Sequence, residues 1–168
     1  AKLKTNDGLL NIMIDYQGQT ESISRSIPIV LNKINFSLFP EGGDLVRGIE
    51  SKVAFRALNE FGKPADVEGI VLNSKGKQVA IFSSFYNGMG AFELTPALGE
   101  KYVAKITNPA GIKEEYVLPE PLERGYVLSV ENVNANEMLV NISTTETEEL
   151  SLVGQVRGKI CYATAVQA

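Results

Sequence analysis

The chain has no histidine, no tryptophan and one cysteine among its 168 residues. Without imidazole there is no Ser-His-Asp triad, no Cys-His dyad and no histidine-ligated zinc or haem site. A lone cysteine forms no internal disulfide, so a disulfide-knit scaffold and a Cys-rich metal module are both excluded and the redox compartment stays open. Charge of one sign is also scarce: 16 basic residues stand against 20 acidic ones, for a net charge of −4. The stretches 1–32 and 33–119 are each balanced, so the acidic excess falls in 120–168. With no basic stripe to displace counterions from phosphates, nucleic acid is not an expected partner. No run approaches the roughly 20 apolar residues needed to cross a bilayer, so no transmembrane segment is expected, and no signal peptide or lipidation signal is visible. The chain starts at Ala1 and stops at Ala168 within an apolar stretch, as expected of a segment of a longer protein.

What is present is strand-forming. Short runs rich in Val, Ile, Leu, Phe and Tyr recur with turn residues between them, at the spacing of an all-β sandwich. In Val53-Ala54-Phe55-Arg56-Ala57 the odd positions are predicted to face inward. In Tyr102-Val103-Ala104-Lys105-Ile106 the even ones are, because side chains alternate along a strand. Gln17-Gly18-Gln19, Asn73-Ser74-Lys75-Gly76-Lys77 and Asn108-Pro109-Ala110-Gly111 supply turns, with Gly where positive φ is required. No amphipathic helix of three turns is found.

Strand count sets the boundaries. The stretch 33–119 holds about seven predicted strands, enough for one complete antiparallel sandwich. Residues 1–32 supply about two and 120–168 about four, too few to bury a sheet on both faces. The flanks are therefore expected to be the last strands of a preceding β-domain and the first strands of a following one. They either pack together as a composite lobe or leave edges that pair between molecules.

Three stretches carry a resemblance: Phe39-Pro40-Glu41-Gly42-Gly43-Asp44-Leu45-Val46, then Asn59 to Asp66 (NEFGKPAD), then Asn87-Gly88-Met89-Gly90-Ala91-Phe92-Glu93-Leu94-Thr95-Pro96. In this order, with Gly99-Glu100-Lys101-Tyr102 following, the stretch 33–119 resembles the macroglobulin-type β-sandwich repeats of large bacterial envelope proteins related to the alpha-2-macroglobulin family. The resemblance implies an immunoglobulin-like or macroglobulin-like sandwich within a string of such domains, in the periplasm or on the outer-membrane surface. Full members trap proteases, and many carry a thioester at Cys-Gly-Glu-Gln. Here the sole cysteine stands in Lys159-Ile160-Cys161-Tyr162, so no trapping chemistry carries over. Related repeats also occur beside the plug domains of TonB-dependent outer-membrane transporters, as spacers.

The same stretches have a reading that needs no family. Pro40, Gly42 and Gly43 break a strand and let the chain cross between sheets, with Phe39, Leu45 and Val46 bracketing the break by core contacts. Gly88 and Gly90 admit backbone geometry barred to other residues, and Met89 fills the gap between them. Phe85 and Tyr86 interrupt the alternation at a sandwich end, where they either cover the end of the core or, as loops there bind partners, are the candidate contact residues. Cys161 is expected to be a buried structural thiol. Glu41, Asp44 and Glu50 surround a glycine-rich bend, but neither an EF-hand pattern nor a repeated Asp-x-Asp spacing accompanies them, so no metal is assigned. Glu114 and Glu115 point to opposite faces of a strand, and Glu146, Glu148 and Glu149 fall in a loop, so neither group makes a glycosidase pair.

The expectation is a non-catalytic structural or interaction module without cofactor, whose partners are other domains of a longer chain or another protein. The alternatives are a carbohydrate-binding or carbohydrate-processing sandwich and a transporter spacer; fold does not decide among them.

Overall fold

The computed structural model describes residues 7–28 and 32–167, and no helix occurs among them. The strands, in chain order, are β1 (Asp7–Tyr16), β2 (Gln19–Pro28), β3 (Ile34–Pro40), β4 (Ser51–Asn59), β5 (Glu68–Leu72), β6 (Gln78–Ser83), β7 (Met89–Leu94), β8 (Val103–Asn108), β9 (Glu115–Val117), β10 (Tyr126–Asn134), β11 (Glu137–Thr144), β12 (Glu149–Val156) and β13 (Lys159–Gln167). All pair antiparallel. A further strand position predicted at 29 and 30 lies outside the described residues.

Seven strands build the centre, as a three-stranded sheet ordered β3-β4-β7 and a four-stranded sheet ordered β6-β5-β8-β9. The chain changes sheet from β4 to β5, from β6 to β7 and again from β7 to β8, so neither sheet forms from contiguous sequence. Alternation places Val53, Phe55, Ala57, Phe92 and Leu94 of the first sheet against Val71, Phe82, Ala104 and Ile106 of the second, in one buried cluster. In place of tryptophan, the cluster is filled by touching rings. Phe36 lies 5.0 Å from Phe55, 5.2 Å from Phe82 and 5.1 Å from Tyr116, and Phe92 joins through Phe82 at 5.8 Å. Large rings fit there because glycine stands opposite them. Phe82 pairs across the ladder with Gly69, and Phe55 pairs with Gly90. A Cβ on Gly69 would lie 2.2 Å from the Phe82 ring, and one on Gly90 would lie 2.4 Å from the Phe55 ring.

The Pro40–Gly43 bend corrects one expectation. It turns between β3 and β4, which are neighbours in one sheet, so the chain does not cross there. Leu45 and Val46 are fully buried, but Phe39 is 51% exposed because it points to the outer face of its strand. The loop after the bend docks on the segment leading to β10. Val46 bridges Leu122, the Arg47 amide donates to the Leu122 carbonyl, and the Leu122 amide donates to the Leu45 carbonyl. Gly42 lets β10 approach: its φ is +84°, and a Cβ would lie 2.8 Å from the Leu128 amide nitrogen.

Beyond the centre stand three two-stranded hairpins, β1–β2, β10–β11 and β12–β13, each hydrogen-bonded within itself. Residues 17–18 and 157–158 close the first and last of them, and all four have positive φ, the geometry whose twist matches that of the strands they join.

Candidate functional site

The loop between β6 and β7 carries the aromatic pair that sequence singles out. Phe85 and Tyr86 are 78% and 58% exposed, too open to be covering the core. The loop is held rigidly from beneath. Phe85 and Tyr86 amides donate to the Met89 carbonyl, the Met89 amide returns a bond to Tyr86, and the Gly88 amide donates to Asp66 Oδ1 at 3.0 Å. Gly88 has φ +71°, and a Cβ there would lie 2.3 Å from the Ala57 carbonyl oxygen. Met89 is 39% exposed and fills no interior gap; Gly88 and Gly90 lie so close to neighbouring backbone and to Phe55 that no gap exists.

A second feature is a cleft of about 120 Å³ where β10 meets the centre, lined by Glu41, Glu50, Lys52, Glu93, Ser129 and Glu131. It brings together two of the three acidic residues noted around the bend, while Asp44 is not among its walls. Glu41 accepts a hydrogen bond from the Val130 amide at 3.3 Å, so one carboxylate oxygen is engaged in docking β10. Among the described residues no three acidic, histidine or cysteine side chains converge to hold a metal ion. Of the other carboxylates, Glu149 opens β12 and does not lie in the loop expected for it, and Glu114 accepts from the Tyr116 hydroxyl. Glu115 pairs with Lys105 at 2.5 Å, Glu146 with Arg124 at 3.5 Å, and Glu148 accepts from the Tyr126 hydroxyl at 2.8 Å. That last bond holds the Tyr126 hydroxyl pKa above its usual value.

Cys161 corrects another expectation. It is exposed, not buried, and lies at the register shift of the β12–β13 ladder, where Gly154 faces Tyr162 and Gln155 faces Ile160. Its neighbours Ile160 and Tyr162 are 68% and 57% exposed as well, so this end of the hairpin buries neither face and alternation has no interior to point the thiol into.

A third feature is spread over the hairpins, whose strands are marked in sequence by alternation and whose apolar side chains are exposed. On β1–β2 the register puts Leu10, Ile12, Ile14 and Tyr16 on one face with Ile23. These five side chains are between 44% and 69% exposed. Across the ladder the register also sets Arg25, Glu21 and Gln19 alongside the stripe, and the opposite face carries exposed Leu9 and Met13 beside polar pairs, with Ser24 donating to Asn11 and Thr20 to Asp15. On β10–β11, Leu128, Val130, Met138, Val140 and Ile142 share one face by register, and all but the half-buried Ile142 are exposed. Among the described residues these two hairpins therefore present the apolar side of a sandwich layer with no second layer over it, whereas Leu150, Leu152 and Val166 of β12–β13 are half-buried. The signal was in the sequence as alternation; the absence of a cover is a tertiary fact.

No helix among the described residues is long and apolar enough to cross a membrane. Compared with family models, curated proteins and solved structures, the chain matches none.

Proposed function

We infer that this chain is a non-catalytic structural and interaction module, whose contact surfaces are the apolar faces of its terminal hairpins. The observation that carries the reading is the exposed stripe of Leu10, Ile12, Ile14, Tyr16 and Ile23 on a hairpin that has no layer against it. A two-stranded hairpin is at best marginally stable alone in water, and contiguous apolar faces on folded proteins mark contact sites.

In this reading the centre is a macroglobulin-like sandwich, and the hairpins belong to composite domains completed by neighbours. The chain is then one piece of a larger envelope protein in the periplasm or on the outer-membrane surface. The motif order Pro40–Val46, Asn59–Asp66 and Asn87–Pro96 supports the family, as do seven strands split between two sheets. The fourth of these strands lies beside the third, where an immunoglobulin constant domain places it beside the fifth strand.

The test compares two sets of surface variants at high dilution. Ile12→Glu combined with Val140→Glu is expected to remove most binding of an apolar dye while leaving the melting of the central sandwich unchanged. Unchanged dye binding would sink the reading. So would glycan-array binding that disappears in Tyr86→Ala, which would favour the carbohydrate-binding alternative.

A further inference from the structure

We propose that the cover for the hairpins is a second copy of this chain, docked head to tail, with β1 of one copy pairing along the free edge of β12 in the next. The proposal rests on the contact-module reading and names its partner.

Area is the first argument. The chain exposes 11817 Å², whereas a folded monomer of 18.2 kDa exposes about 8,100 Å². Ten residues lie outside the described stretches; granting each the full surface of an unfolded chain, about 160 Å², an excess of about 2,100 Å² remains. A standard specific interface removes about 1,200–2,000 Å² in total. In a head-to-tail array each copy gives one half of an interface at β1–β2 and the other half at β10–β13, so each copy loses the area of one whole interface. The excess matches that loss.

Topology is the second. The central sandwich is made of three antiparallel pairs of successive strands, β3–β4, β5–β6 and β8–β9, with β7 added beside β4. The flanks repeat those pairs in circular order: β10–β11 stands for the first, β12–β13 for the second and β1–β2 for the last. In the centre the last pair joins the second through β5 and β8, giving the order β6-β5-β8-β9. The corresponding order between copies is β13-β12-β1-β2, with the last two strands from the neighbour. The position it needs is open among the described residues, where β12 pairs with β13 and β1 with β2. Facing this sheet, the apolar side of β10–β11 meets the Leu10, Ile12 and Ile14 stripe.

A symmetric dimer that packs identical hairpins on each other serves less well, and a reciprocal one, β1–β2 of each copy on β10–β13 of the other, stops at two copies. Two β1–β2 hairpins packed on each other leave the Leu128, Val130 and Val140 face bare, so two separate interfaces are required where one heterologous contact suffices. Heterologous contacts extend into rings or filaments.

Sedimentation of the full chain over a wide concentration range tests this. The unmodified chain is expected to grow past dimer as concentration rises. Ile12→Glu, which spoils the giving face, and Val140→Glu, which spoils the receiving face, are each expected to stay monomeric alone. Mixed in equal amounts they should form a discrete dimer, because one intact face of each kind remains. Met138→Glu, at a more exposed position, repeats the receiving-face test, and a preserved melting transition of the centre shows that each variant is folded. On association, amides of β1 and β12 should gain protection from hydrogen exchange. A homodimer of either variant, a mixture that stays monomeric, or protection elsewhere overturns the proposal. So does a chain that is monomeric at every concentration, and in that case dye binding at the hairpin faces would still stand, separating this failure from that of the contact-module reading.

Discussion

At the residue scale, the centre depends on small side chains facing large ones. Gly90 sits opposite Phe55, and an added Cβ would meet both the ring and the Ser83 carbonyl oxygen at 2.4 Å, the latter being backbone that cannot swing away. Gly90→Ala is therefore expected to cost about 1–3 kcal/mol, as overpacked cores do, measured by urea unfolding. Tyr116 supplies a pH dependence. Its hydroxyl donates to the Ile34 carbonyl at 2.8 Å, and its pKa is pushed up to about 12, first by burial and then by the Glu114 carboxylate. The folded state thus keeps this proton after the unfolded chain, with its ordinary value near 10, has released it. The contribution is full below about pH 10 and is lost as pH rises towards about 12. Stability of the unmodified protein should accordingly fall more steeply over that window than that of Tyr116→Phe, which at neutral pH lacks one hydrogen bond worth about 1 kcal/mol. Cys161, exposed at a bulge, should be alkylated in the native state about as fast as in denaturant; slow native labelling would contradict its position.

At the element scale, two turns share the pattern Asn-x-x-Gly-Lys, at Asn59–Lys63 after β4 and at Asn73–Lys77 after β5. In both, the asparagine Oδ1 accepts from amides two and four residues on, at 3.0 and 2.9 Å in the first and 3.1 and 2.9 Å in the second. In both, the asparagine amide donates to the lysine carbonyl. The motif makes the turn, but its surroundings set its worth. Asn59 is fully buried, whereas the second turn is solvated and is tethered at Ser74 to Glu100. Bonds from the Ser74 hydroxyl and amide hold the Glu100 carboxyl below its usual pKa. Removing the buried acceptor leaves amides unsatisfied, at about 1–3 kcal/mol. Water replaces the exposed one. Thermal melts should therefore show a clear loss for Asn59→Ala and little change for Asn73→Ala; equal losses would refute the distinction. Strands and turns of this kind were legible because alternation and turn chemistry are local. Phe39, Met89 and Cys161 differ from expectation because outward direction and backbone crowding depend on the partner strand, and burial of a thiol depends on a layer packing against its hairpin.

At the scale of the whole molecule, the buried cluster runs only from Ile34 to Leu118, although strands continue on both sides. Cooperative unfolding at high dilution should therefore expose the surface of a domain of about 90 residues, and the urea m-value should match that size instead of the full length. An m-value scaling with all 168 residues would show that the hairpins share the core. Among the candidate site residues, Phe85 and Tyr86 stand out in sequence by breaking alternation beside a glycine turn, but whether they cover the core or face outward depends on the sheets, and they are exposed. The Glu41, Glu50, Glu93 and Glu131 cleft was not, because its walls come from strands far apart in sequence. The all-β class, the strands and the missing chemistry follow from periodicity, turn residues and composition, which act over a few neighbours. Which strands share a sheet, where glycine makes room for a ring and which apolar faces are left bare come from the packing of distant segments. Each of those depends on what the rest of the chain brings alongside: it brings the Glu41–Gly43 bend against β10, and among the described residues no layer over the β1–β2 stripe.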